Sequence, residues 1–555
     1  MQNVKRAQAI VESLRNRLRV LSGSNLARTV PRFHGLRRPE GMPGHSELGE
    51  GGSGNSRLHP RTEAWLSEWG PSLRTCISQS LLAAWRAEDM LSCSGLSGPT
   101  RLPSLDVGTD FSGAEAPIFA LRGLRMPFQH IFSSDKAAAP KKFIQANARP
   151  QLFFDNVLTR NPVEVPKVHL YVAGFPCKPF STLHTGTALL QEREAKAFKA
   201  TVRHLKKSRP VCFVLENVMG IRRCIAKVLR SLRSTGYYVF EVPMNPRDLG
   251  EPVQRPRIYF LGVRCDVSVA KEEKLAVVAR RAWSGVVLAR AGSGVQPLAW
   301  RVLPTEHPAV RRCQEHRRAR MGSVKGARPA AKWPDRHTAY LRGLGTAGAK
   351  STHMSLPTAT AMLISGRREA DIWNTHVQYH AAQNLAVDLS QSLGRNGQRC
   401  DGAVPTVTPG SDIASAALGR RLVPLEKLLI HGFPVRELAL QDLSDSEVAS
   451  LGGNTMHVHI VAAAIFLVTS LVDWRLPAAL LKTPAGMQKT SASQRKRRAD
   501  SSSTRGQARS SLSLPSTSRM PRNTRQTAKC KPRVKAKPVA KTSAEKASAL
   551  RSRWL

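Results

Sequence analysis

A cysteine and a glutamate stand at the ends of two short apolar runs in this chain. Gly174-Phe175-Pro176-Cys177-Lys178-Pro179-Phe180-Ser181 follows His169-Leu170-Tyr171-Val172-Ala173, and Glu216-Asn217-Val218 follows Val211-Cys212-Phe213-Val214-Leu215. The types are those of a nucleophile and an acid, which together serve covalent catalysis. Taken alone, a cysteine is more often a small buried hydrophobe, and a strand-end glutamate is more often a solvated charge. Their shared placement is what raises them above those readings.

That placement depends on the elements that carry them. Each apolar run is strand-like, and the charged segment around Ala188 to Lys207 favours helix, so the stretch predicts a strand, a helix and a strand. In an open parallel sheet, residues just beyond the carboxyl ends of neighbouring strands converge on a ligand crevice. Cys177 and Glu216 are therefore expected to face one pocket although they are far apart in sequence.

Together these residues resemble the catalytic core of the cytosine-C5 methyltransferases: Pro176-Cys177 with Phe180-Ser181 after it, then Glu216-Asn217-Val218. Further blocks stand in the same family's order. Asp110-Phe111-Ser112-Gly113-Ala114-Glu115 is similar to the first motif, which binds S-adenosylmethionine. Gln254-Arg255-Pro256-Arg257-Ile258-Tyr259 is similar to the paired-arginine motif. Arg420 to Glu426 leading to Gly432-Phe433-Pro434 resembles the ninth block, and Gly453-Asn454-Thr455 resembles the tenth. The likeness covers roughly residues 100 to 472. Any one block alone would read as an ordinary turn or basic loop; their joint order carries the inference.

The resemblance implies an α/β fold, a Rossmann-like doubly wound methyltransferase sheet with a smaller inserted target-recognition domain. It implies transfer of a methyl group from S-adenosyl-L-methionine to carbon 5 of cytosine in DNA, through a covalent cysteine adduct on a flipped base. Cys177 takes the role of nucleophile and Glu216 that of the acid at ring nitrogen 3. Arg255 and Arg257 fix the base's oxygen and the active-site charge. Phe111, Gly113 and Asn454 match positions that contact the methionine portion of the cofactor, while Asp135 and Asp155, after successive strands, match its ribose and adenine partners. No metal is expected. A branch of the same family acts on cytosine in transfer RNA, and a noncatalytic chromatin-binding relative is the reading from a different class.

Composition points the same way. The chain has 555 residues, 85 Lys and Arg against 39 Asp and Glu, and a formal charge of +46. A surplus of that size attracts polyanions with salt-sensitive affinity, so DNA, with RNA as the alternative, is the expected partner. Nine cysteines occur without a C-x-x-C pair, and no secretory signal is visible, which together argue against a zinc module or disulfide framework and for a reducing compartment. The longest apolar stretch, Ile460 to Val468, is short for a bilayer span and reads as a core helix, so no membrane partner is expected.

Composition also divides the chain. Residues 1–58 read as a basic arm, with helical spacing of Val11, Leu14, Leu18 and Leu21, followed by a Gly-rich linker. Residues 59–100 are a lead-in whose tryptophans Trp65, Trp69 and Trp85 are expected to pack. Residues 101–264 are expected to form the catalytic and cofactor-binding domain, 265–412 the target-recognition region, and 413–482 the return to the catalytic domain. Residues 483–555, rich in Lys, Arg, Ser, Thr, Ala and Pro, are expected to be a disordered basic tail. Arg495-Lys496-Arg497-Arg498 resembles a nuclear localisation cluster, so the expected location is the nucleus, with an organelle reached through the N-terminal segment as the alternative. Oligomeric state is not legible.

Overall fold

The computed structural model describes residues 58–88, 102–176, 195–291, 294–323, 333–343, 364, 367–379, 382–395 and 397–476. The N-terminal arm, nearly all of the Gly-rich linker, Cys177 and the basic tail with Arg495 to Arg498 lie outside them.

The two apolar runs are strands at the centre of a seven-stranded sheet. β1 (Leu105–Asp110), β2 (Phe128–Ser134), β3 (Leu152–Phe154), β4 (Leu170–Ala173), β5 (Cys212–Val218), β6 (Tyr237–Met244) and β7 (Arg257–Arg264) are ordered β3-β2-β1-β4-β5-β7-β6. All neighbours pair in parallel except β7, which runs antiparallel to β5 and β6. Every residue of β4 is buried, as are the first four of β5. Continuous burial is what a strand covered on both faces requires, and it explains why these runs are apolar throughout rather than alternating.

Helices cover both faces. One face carries α1 (Pro60–Ala87), α2 (Ala116–Gly123), α3 (Ala138–Asn147), α6 (Glu272–Ala291) and α12 (Val458–Thr469), which share one buried cluster with β1 and β7. The opposite face carries α4 (Lys196–Ser208) and α5 (Ile225–Arg233), whose Phe198, Leu205, Val228 and Leu232 pack with Phe213 and Val239. The sheet is thus doubly wound, as the resemblance implied. The apolar stretch of Ile460 to Val468 lies within α12 and is wholly internal. Asp445–Thr469 is long and apolar enough to cross a membrane by length and composition, but 89% of its most apolar window is buried inside the protein. Burial of each large apolar side chain there contributes about 1.5–3 kcal/mol.

The lead-in is part of this core. In α1, Leu73, Ile77, Leu81 and Trp85 are buried, Trp69 stacks on His459 at 4.1 Å between ring centroids, and Trp65 donates its indole N–H to Glu251 at 3.0 Å. The tryptophans pack, as expected, and one also bonds a buried carboxylate. Burial pushes Glu251 upward, but His459 and Arg301 outweigh it and hold the carboxyl well below the usual range.

Two expected boundaries differ from the packing. The first core continues past Arg264, because α6 places Leu275, Val278, Ala282 and Val286 in the same cluster as the sheet. Apolar periodicity in a basic stretch was the missed signal. A second, antiparallel sheet is formed by β8 (Ala386–Asp388), β9 (Gln398–Arg399), β10 (Ile413–Ser415) and β11 (Arg420–Arg421) in the order β11-β10-β8-β9. It runs past residue 412, so β10 and the start of the ninth block belong to it. α9 (Arg367–Tyr379), which follows α7 (Pro308–Ser323) and α8 (Trp333–Gly343), buries Ile372 and Trp373 against β8. The chain rejoins the main core at α10 (Pro424–Leu429) and α11 (Asp445–Asn454).

Candidate active site

The strand ends β1, β4 and β5 open into a pocket lined by Asp110, Phe111, Gly174, Glu216, Asn454 and Met456, among others. The loop after β1 forms one wall. Phe111, Gly113 and Glu115 all have positive φ (54°, 56° and 54°), a curl that turns the chain from strand to helix within five residues. Glu115 holds that curl: its Oε1 accepts from Thr109 and Ser133, each at 2.6 Å. Gly113 donates its N–H to Asp135 Oδ2 at 3.1 Å, tying the loop to the end of β2.

Asp110 forms the floor. Its carboxylate takes two bonds from Arg160, at 2.5 and 2.6 Å, and a third from the Tyr171 hydroxyl at 2.7 Å. Burial pushes the Asp110 carboxyl up, and Arg160 and Tyr171 oppose the shift. The same burial, with the neighbouring Asp110 charge, pushes Tyr171 well above its ordinary value, so it serves as a fixed donor. Arg160 was not singled out from sequence, since an arginine in a polar loop carries no local sign of a buried partner.

The acid stands opposite. Glu216 lies inside β5 rather than beyond its end, paired with Tyr259 of β7, because the antiparallel partner extends the ladder to Val218 opposite Arg257. Oε1 of Glu216 meets Arg257 Nε at 2.9 Å, both side chains being 13% exposed. A Cβ on Gly174 would meet Glu216 Oε2 at 3.5 Å and Met456 Cε at 2.9 Å. A side chain there would have to displace the end of Met456, so glycine keeps the two walls close. Asn217 closes the arrangement: its amide donates to the Phe175 carbonyl at 3.0 Å and so pins the backbone two residues before Cys177.

Arg255 differs from its expected role. It is 5% exposed and donates to the carbonyls of Val407 at 2.8 Å, Gly453 at 3.3 Å and Thr455 at 2.6 Å. Those contacts hold the segment bearing Asn454 against the sheet. Gly453 also packs so closely that an added Cβ would lie 2.1 Å from Pro409 N. Of the expected cofactor residues, Phe111 and Asn454 line the pocket, whereas Asp155 lies apart from it, its side chain 75% exposed and paired with Lys141 at 2.6 Å.

The residues fit a polar, amino-acid-bearing cofactor. Thr455 lines the pocket with its hydroxyl buried and, among the described residues, without a hydrogen-bond partner; an aromatic ring, an amide and carboxylates surround the same space. The model of the C-5 cytosine-specific DNA methylases matches residues 111–464. The chain belongs to that family. Among curated methylases, it is 31% identical over 159 residues to the type II methyltransferase M.BsuFI of Bacillus subtilis, covering 26% of this chain and 38% of that enzyme. It is 31% identical over 150 residues to M.NgoBI of Neisseria gonorrhoeae, covering 25% and 47%. The DNA (cytosine-5-)-methyltransferase DMT5 of Cryptococcus neoformans var. grubii is 24% identical over 432 residues, covering 65% of this chain and 17% of that protein. The match thus spans less than half the length of each of these relatives. The solved S. pombe Dnmt2 methyltransferase aligns at TM-score 0.39 and 15% identity, over 66% of this chain and 98% of that one, a likeness too low to carry an argument.

Proposed function

We propose that this methylase family member transfers a methyl group from S-adenosyl-L-methionine to carbon 5 of cytosine in DNA. The observation that supports it best is the placement of Glu216, braced by Arg257, in the same strand-end pocket as Phe111 and Asn454. Phe111, Gly113, Asn454 and Asp135 would hold the cofactor, which supplies an electrophilic sulfonium methyl.

Carbon 5 of cytosine is a poor nucleophile. The Cys177 thiolate adds to carbon 6, and the displaced electron pair makes carbon 5 nucleophilic. Glu216 shares a proton with ring nitrogen 3 to stabilise that charge; Oε2 is the oxygen suited to the task, since Oε1 is held by Arg257. Arg257 also serves the base's carbonyl oxygen. After methyl transfer, a water molecule takes the carbon 5 proton, the electron pair left behind restores the ring double bond, and the cysteine leaves as thiolate. A base held in this way must leave the duplex stack. The second sheet and its helices serve target recognition, and the basic arms add phosphate affinity and nuclear import.

Incubation of the purified full chain with labelled cofactor and separate DNA and RNA pools tests the substrate. Label is expected in DNA, at carbon 5 of cytosine. DNA containing 5-fluorocytosine is expected to trap a covalent adduct that Cys177→Ser does not form. Label confined to RNA, or adduct formation by the serine variant at the wild-type level, overturns the corresponding part of the reading.

A further inference from the structure

We propose that the outer faces of α4 and α5 form a second surface for the phosphate backbone of duplex DNA, separate from the strand-end pocket. The inference rests on the DNA reading above. On α4, Lys196, Lys199, Arg203, Lys206 and Lys207 are exposed, and at 3.6 residues per turn they fall within one stripe about 100° wide. Phe198, Leu205 and the rest of the opposite side pack on the sheet. On α5, Lys227, Arg230 and Arg233 project in the same manner while Val228 and Leu232 are buried. Both helices cover the same face of the sheet, so the two stripes lie side by side.

The density of cations with no acid among them separates this face from a surface of mixed charge. Several exposed or half-exposed cations elsewhere have carboxylate partners, among them Arg280 with Glu241, Arg281 with Glu88, Lys142 with Glu447 and Lys141 with Asp155. Among the described residues on α4 and α5, the ion pairs sit only at the far margin, Arg209 with Asp266 at 4.0 Å and Arg233 with Glu272. From Ala195 to Gly236 the sole acid is Glu216, which faces the pocket. Like charges three and four residues apart on one helix repel, and α4 stacks Lys196, Lys199, Arg203, Lys206 and Lys207 with no acid between them. A polyanion relieves that repulsion.

Geometry favours a duplex. α4 joins the parallel strands β4 and β5, so its first turn lies at the edge where the pocket opens and its last at the opposite edge. Its 13 residues span roughly 20 Å, a length over which duplex DNA carries about a dozen phosphates. The stripe has no aromatic side chains on its exposed side to stack unpaired bases, which suits contact with backbone rather than with bases.

The test uses the full chain with Lys199→Ala, Arg203→Ala, Lys206→Ala and Lys207→Ala combined, none of which belongs to the catalytic site. Binding to a mixed-sequence duplex of about 40 base pairs is titrated against salt, with the slope of log affinity on log salt as the readout. Loss of four phosphate contacts is expected to reduce the slope by about 3–4 and to weaken binding at low salt more than tenfold. The unfolding midpoint and the rate at saturating DNA are expected to stay unchanged. A charge-keeping set, Lys199→Arg, Lys206→Arg and Lys207→Arg, is expected to preserve the wild-type slope. A slope within about one of wild type overturns the proposal, as does retained DNA binding with lost affinity for poly-glutamate, which would assign the face to an acidic protein. Because the readout is binding, a slope that falls in a protein unable to methylate DNA leaves this surface standing and removes the functional reading instead.

Discussion

Replacing Arg255 with alanine separates architecture from chemistry. The sequence pairs Arg255 with Arg257 as though both met the substrate, but Arg255 is buried and spends its guanidinium on the carbonyls of Val407, Gly453 and Thr455. A hydrogen bond from a charged donor contributes about 1.5–3 kcal/mol, and carbonyls left buried without a donor add cost. Such contributions are not additive, so a loss of about 3–5 kcal/mol is expected. At about 2.1 cal/mol/K per residue, a domain of about 350 residues would melt roughly 4–7 °C lower. The assay compares thermal melts with initial methyl-transfer rates measured well below both midpoints. Arg255→Ala is expected to melt early and to bind cofactor weakly, because the backbone around Asn454 loosens. Arg257→Ala, which loses one partly exposed pairing with Glu216, is expected to melt near wild type and to lose turnover. An Arg255→Ala protein with an unchanged midpoint, normal cofactor binding and abolished turnover would refute the reasoning and return that residue to the chemistry.

Glu216→Gln is expected to lower methyl transfer by about 100- to 10,000-fold with cofactor affinity within a few-fold of wild type; a loss under about tenfold in single-turnover kinetics would make the residue structural. Asn217→Ala removes the bond to the Phe175 carbonyl, at a cost of about 1–2 kcal/mol in urea melts, and is expected to slow adduct formation on 5-fluorocytosine DNA more than it weakens DNA binding. Acid should unfold the protein steeply: burial pushes His204 and His457 each down to about 3, so the unfolded chain binds protons that the native state refuses. With the folded values depressed, the native state is favoured at neutral pH, and stability falls by roughly 1 kcal/mol per histidine for each unit between about pH 6 and pH 3. His457→Gln should flatten that limb in denaturant titrations read across pH.

The apolar strands, the order of the motifs and the family were legible in the sequence because each is local: β4 and β5 read as continuous buried runs, and Gly174-Phe175-Pro176 and Glu216-Asn217-Val218 sit where those runs end. The α12 core helix was equally plain, since Ile460 to Val468 has no polar face. Partners contributed by distant segments leave no local periodicity, and these the tertiary structure alone decided. It placed Glu216 within a strand because β7 runs antiparallel beside it, and it joined Asp110 to Arg160, 50 positions away. It also turned Arg255 toward carbonyls some 150 to 200 positions further on, whereas Arg257, two residues later at the start of β7, meets Glu216. Two arginines in one motif received different work because burial leaves a guanidinium only the acceptors that the fold brings to it.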